Sequence, residues 1–383
     1  MASMPRANGP TETWIALLGR RDTPTDGVED YCTFLGEALA KTGVELKKVR
    51  MHWAEQGWLT ALRQLQRESA EWRGRWVLVQ YTALSWSRRG FPLPALAVLG
   101  TLQRSGARIA VVFHEPRRQV ESPLRWIDRI RGACQDWVLR KLYERGEKCV
   151  FADPLDTVNW LPRDAKSVFI PIGANIPEAI SSPEIPVERD GGPETVAVFG
   201  VTEYPTRERE REVADISSAV RAAAMKGVKV KVVFVGRGTS EAAATIRGAF
   251  GDIPAEVSVL GLLSAGEISR VLATSRVMLF VRGKVESHRG SVMAGIACGL
   301  PIVGYAGAAE GTPLAEAGVE LVPYGETDAL GAALVRIFTD AGLQRALRNK
   351  SMCAQRKYFS WDKIAATFVR SLDAEVSIAS DWS

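Results

Sequence analysis

The residues best placed for chemistry lie in the stretch SRVMLFVRGKVESHRGSVMAGIACGLPIVGY, residues 275–305. Here Arg289-Gly290-Ser291 closes a charged loop and opens an apolar helical stretch through Cys298. A guanidinium beside the free amides of Gly290, Ser291 and Val292 is an arrangement that holds an anion such as a diphosphate. Glu286 can accept hydrogen bonds from ligand hydroxyls; its other reading is a loop carboxylate paired with Lys284 or Arg282. His114, after the apolar run 109–113, can hydrogen-bond a hydroxyl or handle its proton, or it simply closes a strand end.

Those residues need elements to carry them. The β-branched run 277–281 predicts a buried strand, residues 282–289 a loop, and 290–298 a helix. Gly299 is expected to end that helix in the left-handed conformation, and Pro301 prevents its continuation before a strand at 302–303. The loop then sits at the carboxyl end of a parallel strand, where open α/β sheets bind ligands. Gly27, after a first strand at 14–18, would let backbone approach a diphosphate, or is only a turn residue. Gly236 and Gly238 close the strand 230–235 near where a base or ribose would lie, and Arg237 between them could stack on a nucleotide.

Strands at 14–18, 44–49, 76–81, 109–113, 149–152 and 168–170 alternate with helix-length segments. A second series starts over at 196–200 and continues through 230–235, 257–260, 277–281, 302–303 and 320–322. Helices are expected at 207–225, after a capping box of Ser264 and Glu267, at 327–338, at 343–358 and at 361–372. This alternation predicts parallel sheets covered by helices on both faces. The expected organisation is an N-terminal domain, 1–180, and a C-terminal domain, 181–360. Residues 361–383 are expected to form a helix packing back on the first domain. The proline- and glycine-bearing stretch 177–193 reads as the linker.

At 383 residues the chain is long enough for two cores, and its 46% apolar and 24% charged residues are those of a globular protein. No apolar run is long enough to span a bilayer, and residues 1–10 have no secretory apolar region and read as a tail. Five scattered cysteines and three histidines show no zinc-type spacing, so no metal is expected and reduced, cytoplasmic thiols are. The net charge of +5 is concentrated: residues 117–148 hold nine Lys/Arg against five Asp/Glu. Within it, the segment 122–145 begins with Ser122-Pro123 and repeats Ile127, Ile130, Cys134, Trp137, Val138 and Leu142 at helical spacing. It reads either as a core-packing helix with a solvated basic face or as a helix lying on an anionic membrane. No basic run is interleaved with aromatics, so nucleic acid is not an expected partner.

The order of these motifs resembles a known family. Gly27 after strand one, FHE at 113–115, IPIGANIP at 170–177, VVFVGRG at 232–238 and GIACGLPIV at 295–303 look like the retaining GT-B glycosyltransferases of family 4. The resemblance runs from about Trp14 to about Leu372. It implies two Rossmann-like doubly wound domains facing across a cleft. The family's paired glutamates, with seven residues between them, match Glu286 and then Ala294, so the ribose-binding carboxylate is missing. Its Gly-Arg-Leu…Lys-Gly motif is altered to Gly200-Val201-Thr202-Glu203, with Arg207 at the lysine position. The RGS text resembles a variant branch in which that turn meets the donor phosphates. Arg207 is then either a phosphate cation or one residue of a solvated RERERE face.

The function so implied is transfer of a sugar from a nucleoside-diphosphate donor, with retention and without a cofactor, to a hydroxyl of a glycan or lipid-linked acceptor. Catalytic roles would fall to His114, Glu286 and Arg289, and donor binding to Gly27, Gly200, Thr202, Arg207, Gly236, Arg237, Gly290, Ser291 and Val292. The protein would serve surface polysaccharide or glycoconjugate synthesis at the inner face of the membrane, with 122–145 as the contact. The competing readings are a non-catalytic nucleotide-sugar-binding partner, and a sugar-nucleotide epimerase or phosphorylase on the same scaffold.

Overall fold

The computed structural model describes residues 12–118, 126–162, 164, 166–177, 192–307 and 313–373. The expected tail 1–10, the Ser122-Pro123 helix start and most of the 177–193 linker lie outside them.

The chain divides into two compact units, one of residues 1–171 with 361–383 and one of 172–360. The first is built on β1 (Glu12–Leu18), β2 (Val44–Arg50), β3 (Trp76–Tyr81), β4 (Arg108–Phe113), β5 (Lys148–Phe151) and β6 (Ser167–Phe169). All are parallel, in the order β2-β1-β3-β4-β5-β6. Its helices are α1 (Gly27–Ala40), the single turn α2 (Trp53–Gln56), α3 (Trp58–Glu68), α4 (Pro94–Ser105) and α5 (Trp126–Arg145). The central strands are continuous apolar runs, as a sheet covered on both faces requires: every residue of β3 is buried.

The second unit holds β7 (Glu194–Phe199), β8 (Val230–Val235), β9 (Ala255–Gly261), β10 (Val277–Lys284), β11 (Ile302–Tyr305) and β12 (Val319–Val322). Around them run α6 (Arg207–Met225), α7 (Ala243–Ala249), α8 (Ala265–Ala273), α9 (Gly290–Ala297), α10 (Thr327–Thr339) and α11 (Ala341–Ala354). The parallel order β12-β11-β10-β7-β8-β9 reverses direction between β7 and β10. In an open α/β sheet that reversal is the place where ligands bind, at the strands' carboxyl ends. Local signals hold well here. Ser264 and Glu267 form the capping box of α8, Gly299 adopts φ +67 after α9, and Val213, Ile216 and Val220 of α6 are core residues.

Four expectations need correction. The unit boundary falls at 171, because Ala174 and Ile176 already pack into a core of the second unit. β10 does not stop at Val281. It runs on to Lys284 through an irregularity in its pairing with β11, so Arg282 belongs to a strand end and not to a loop. The helix expected to reach Tyr358 gives way after Ala354 to a π turn over Gln355–Phe359. In α5 the buried residues are Gly132, Gln135, Val138, Leu139, Leu142 and Tyr143, whereas Trp126, Ile130 and Trp137 face outward. The apolar residues counted as one face are thus split between two.

The last helix, α12 (Trp361–Asp373), belongs to the first unit. Trp361 stacks on Phe34 of α1 at 5.8 Å and meets Tyr31 edge-on at 5.3 Å, while Lys41 binds Asp362 at 2.7 Å. The exposed ion pair contributes little, and the buried rings carry the attachment. We expect Trp361→Ala to destabilise the first unit by about 3 kcal/mol or more. Denaturant unfolding checks this, and a loss comparable to that of Lys41→Ala would contradict it.

Candidate functional site

At the carboxyl ends of β7, β8 and β10 the second unit brings together residues widely separated in sequence. β7 ends in Gly200 at φ +81, and the Arg282 guanidinium lies against it, 3.5 Å from where a Cβ would stand. β8 ends in Gly236-Arg237-Gly238. A Cβ on Gly236 would meet the Phe199 ring at 2.7 Å, and one on Gly238 would meet the Val201 carbonyl oxygen at 2.1 Å. With φ of +89 and +80, both positions require glycine. They let the β8 loop lie directly on the β7 loop.

The β7 loop is locked from below. Glu212 of α6, only 2% exposed, accepts hydrogen bonds from the Thr202 amide and hydroxyl, each 2.7 Å long. Thr202, expected at the donor, spends both groups on this lock. Arg209 is also buried, and it donates to the Glu203 and Glu241 carbonyls at 3.1 and 3.4 Å. Arg207 stands on the exposed first turn of α6, whereas the buried arginine of the RERERE run is Arg209.

Beyond β10, Arg289 is the N-cap residue of α9, and no side chain caps the helix. The amides of Gly290, Ser291 and Val292 therefore point from an open N-terminus, with the positive end of the helix dipole behind them. The Arg289 guanidinium reaches back over Gly283, 3.3 Å from its Cβ position, and the Arg289 Nε is buried without a partner. Glu286 sits 3.6 Å from His288 and 4.0 Å from Arg289, so its charged contacts among the described residues are with these two, and not with Lys284 or Arg282. Ala294 is buried in the core beneath α9, at 1% exposure.

Arg282 was missed as a site residue. Burial pulls its pKa below the usual guanidinium range; Glu212 opposes this, Arg289 and Arg237 add to it, and Glu203 opposes. The side chain still reaches solvent, so its desolvation is incomplete and the like charges beside it matter. Among the described residues Arg282 makes no hydrogen bond and no ion pair. Three guanidinium groups close enough to act on one another, with the start of α9 beside Arg289, are a candidate site for a multiply charged anion. The sequence signal was a cation immediately after a buried strand, the same signal used for the glycines. Among the described residues there is no cluster of His, Cys, Asp and Glu able to hold a metal.

In the first unit, His114 follows β4. Its Nε2 lies 2.8 Å from the Oε1 of buried Gln80, and Tyr31 meets the ring edge-on at 4.9 Å. Gln80 donates its own Nε2 to the Leu78 carbonyl, so Oε1 is its acceptor and His114 carries the proton on Nε2. Gly27 is the first residue of α1, but the helix start is already served by a carboxylate. Asp26 accepts from the amides of Val28 and Glu29 at 3.1 Å, and Arg50 binds Asp26 at 3.1 Å.

Comparison with known proteins follows the same division. Residues 196–340 match the model of the family described as glycosyl transferases group 1. The matched stretch lies within the second unit. No curated protein matches by sequence. Among solved structures, Anabaena HepE in complex with UDP and glucose superimposes with a TM-score of 0.65 at 11% identity, covering 95% of this chain and 100% of that one. Sucrose-phosphate synthase from Thermosynechococcus elongatus gives 0.63 at 16%, over 94% of this chain and 98% of that one. A putative UDP-N-acetylglucosamine 2-epimerase from Listeria monocytogenes gives 0.58 at 11%, over 94% of each chain. At these identities the likeness is one of fold, and the fold is GT-B, with two Rossmann-like domains.

The tautomer of His114 is open to test. We expect two-dimensional 15N–1H spectra of the wild type to show His114 protonated on Nε2. Gln80→Leu should give a mixture of tautomers, and an unchanged spectrum would remove Gln80 as the orienting group.

Proposed function

We propose that the chain is a retaining glycosyltransferase that takes a sugar from a nucleoside-diphosphate donor and passes it to a hydroxyl of a glycan or lipid-linked acceptor. The observation that carries this reading is the open N-terminus of α9 with Arg289 beside it and Arg282, without a hydrogen bond or ion pair among the described residues, close to Arg289. In such a transfer the bond between the anomeric carbon and the diphosphate oxygen breaks, and the electron pair leaves with the diphosphate. Fixed donors aimed at that developing charge lower the barrier. Arg282, Arg289 and Arg237, with the amides of Gly290, Ser291 and Val292, take this role in our reading, so that guanidinium groups and helix amides stabilise the leaving group in place of a metal ion.

Glu286 holds sugar hydroxyls, and the nucleoside is assigned to the paired loops that follow β7 and β8 at Gly200, Gly236 and Gly238. The complexes of HepE make UDP the first base to try. In the first unit we assign His114 a hydrogen bond to a sugar or acceptor hydroxyl; its Gln80 partner fixes which nitrogen carries the proton. The proposed place of action is the cytoplasmic side of a membrane, in polysaccharide or glycoconjugate synthesis.

Titration calorimetry with uridine, UDP and UDP-sugars tests the donor site. Arg289→Ala and Arg282→Ala should each weaken UDP about tenfold or more, the scale of a lost charge-assisted hydrogen bond, and leave uridine nearly unchanged. Equal losses for UDP and uridine would detach these arginines from the diphosphate. A wild type that bound no nucleoside diphosphate at all would remove the donor reading. A change of the sugar's own configuration would favour the epimerase alternative, competition of inorganic phosphate with the acceptor the phosphorylase, and binding with no turnover the non-catalytic one.

A further inference from the structure

Helix α5 presents a face that none of the described residues of its own unit covers. Its inner side is anchored: Gln135 donates to the Gly90 carbonyl at 2.9 Å, Arg131 donates to the Arg89 carbonyl at 2.9 Å, and Val138, Leu139 and Leu142 enter the core. On the opposite side Trp126 is 72% exposed, Ile130 50% and Trp137 49%, with exposed Ala133 between them. At about 100° per residue these four fall within a stripe roughly 60° wide running along three turns. Arg129 and Arg140 border the stripe on one edge and Lys141 on the other, and the arginines are exposed.

More cations stand beside the helix. Arg118 packs over Gly132, and exposed Arg88 and Arg89 lie on the loop that holds Gln135 and Arg131. Asp128 and Glu144 on the same helix are engaged by Arg131 at 2.5 Å and Lys141 at 2.6 Å. Asp136 is the remaining carboxylate of the helix, and Glu115 is exposed near Arg117 and Arg118. The pattern is an apolar stripe holding two tryptophans, edged by guanidinium groups and short of unpaired negative charge.

We propose that this face docks on an anionic bilayer, with Trp126, Ile130 and Trp137 seated at the headgroup boundary and Arg129 and Arg140 on lipid phosphates. Charge complementarity selects this occupant: tryptophan suits the interface between water and hydrocarbon, and each arginine near an anionic surface adds attraction. The contact is shallow, since the inner side of α5 is committed to the core and no helix among the described residues is long and apolar enough to cross a membrane. A second copy of the chain would have to accept the cations as well as the tryptophans. This inference does not depend on the donor site, which is measured without lipid.

Cosedimentation of the full chain with vesicles tests it. The protein should pellet with equimolar phosphatidylglycerol–phosphatidylcholine vesicles and stay in solution with phosphatidylcholine alone. Trp126→Ala with Trp137→Ala should cut the partition tenfold or more, and Arg129→Gln or Arg140→Gln about fivefold each with a weaker salt dependence. Since these side chains face outward, all variants should keep the wild-type melting temperature and UDP affinity. Absence of binding to the anionic vesicles would overturn the proposal, as would binding that the tryptophan pair leaves unchanged. Self-association in solution abolished by the same pair would also overturn it and assign the face to a second copy.

Discussion

Crowding of like charge is the constraint around which the second unit is arranged. Arg237, Arg282 and Arg289 come from three different segments, and the first and last raise the electrostatic cost of charging Arg282. Left to themselves such groups would splay into water. They are held because the backbone beneath them is fixed: Gly200 and Gly283 leave room for guanidinium groups to lie flat on the chain. The buried Glu212 carboxylate balances part of the charge from below. What remains is a preformed deficit of negative charge at the end of the sheet.

The lock under this cluster fixes the course of the chain around Gly200. Thr202 is turned inward to Glu212, and Val201 is buried at 1% exposure, so neither offers a group to solvent. The cation beside Gly200 comes from β10, whose pairing irregularity lies next to Arg282. Because β7 and β10 are hydrogen-bonded neighbours, a charge on either strand end serves the same point in space.

The first unit shows a different economy. Its candidate histidine is held by a neutral amide and an aromatic edge, which orient the ring without adding charge. The corresponding helix start, at Gly27, is filled by its own carboxylate and Arg50, so positive potential there is already answered within the unit. The two units share an architecture of parallel strands and covering helices, yet differ in which of them leaves an anion site open.

Much of this was legible from residue order alone. Runs of β-branched residues located the twelve strands, glycines marked their ends, and the Ser264–Glu267 box and Gly299 ended or began helices where local hydrogen bonding dictates. Arg289 and the start of α9 were readable because a helix N-terminus is a property of a few adjacent residues. Arg282 was not, since its meaning comes from Gly200 and Glu212, both about seventy or more positions away and brought close only by strand pairing. The same holds for α5, whose spacing mixed residues of two faces; only packing of Val138 and Leu142 into the core decided that the tryptophans look outward. Local periodicity determined the elements and their ends. Which side chains meet, and which face is left to solvent, was decided by contacts between distant segments, because burial energy is a property of the assembled sheet and not of any stretch within it.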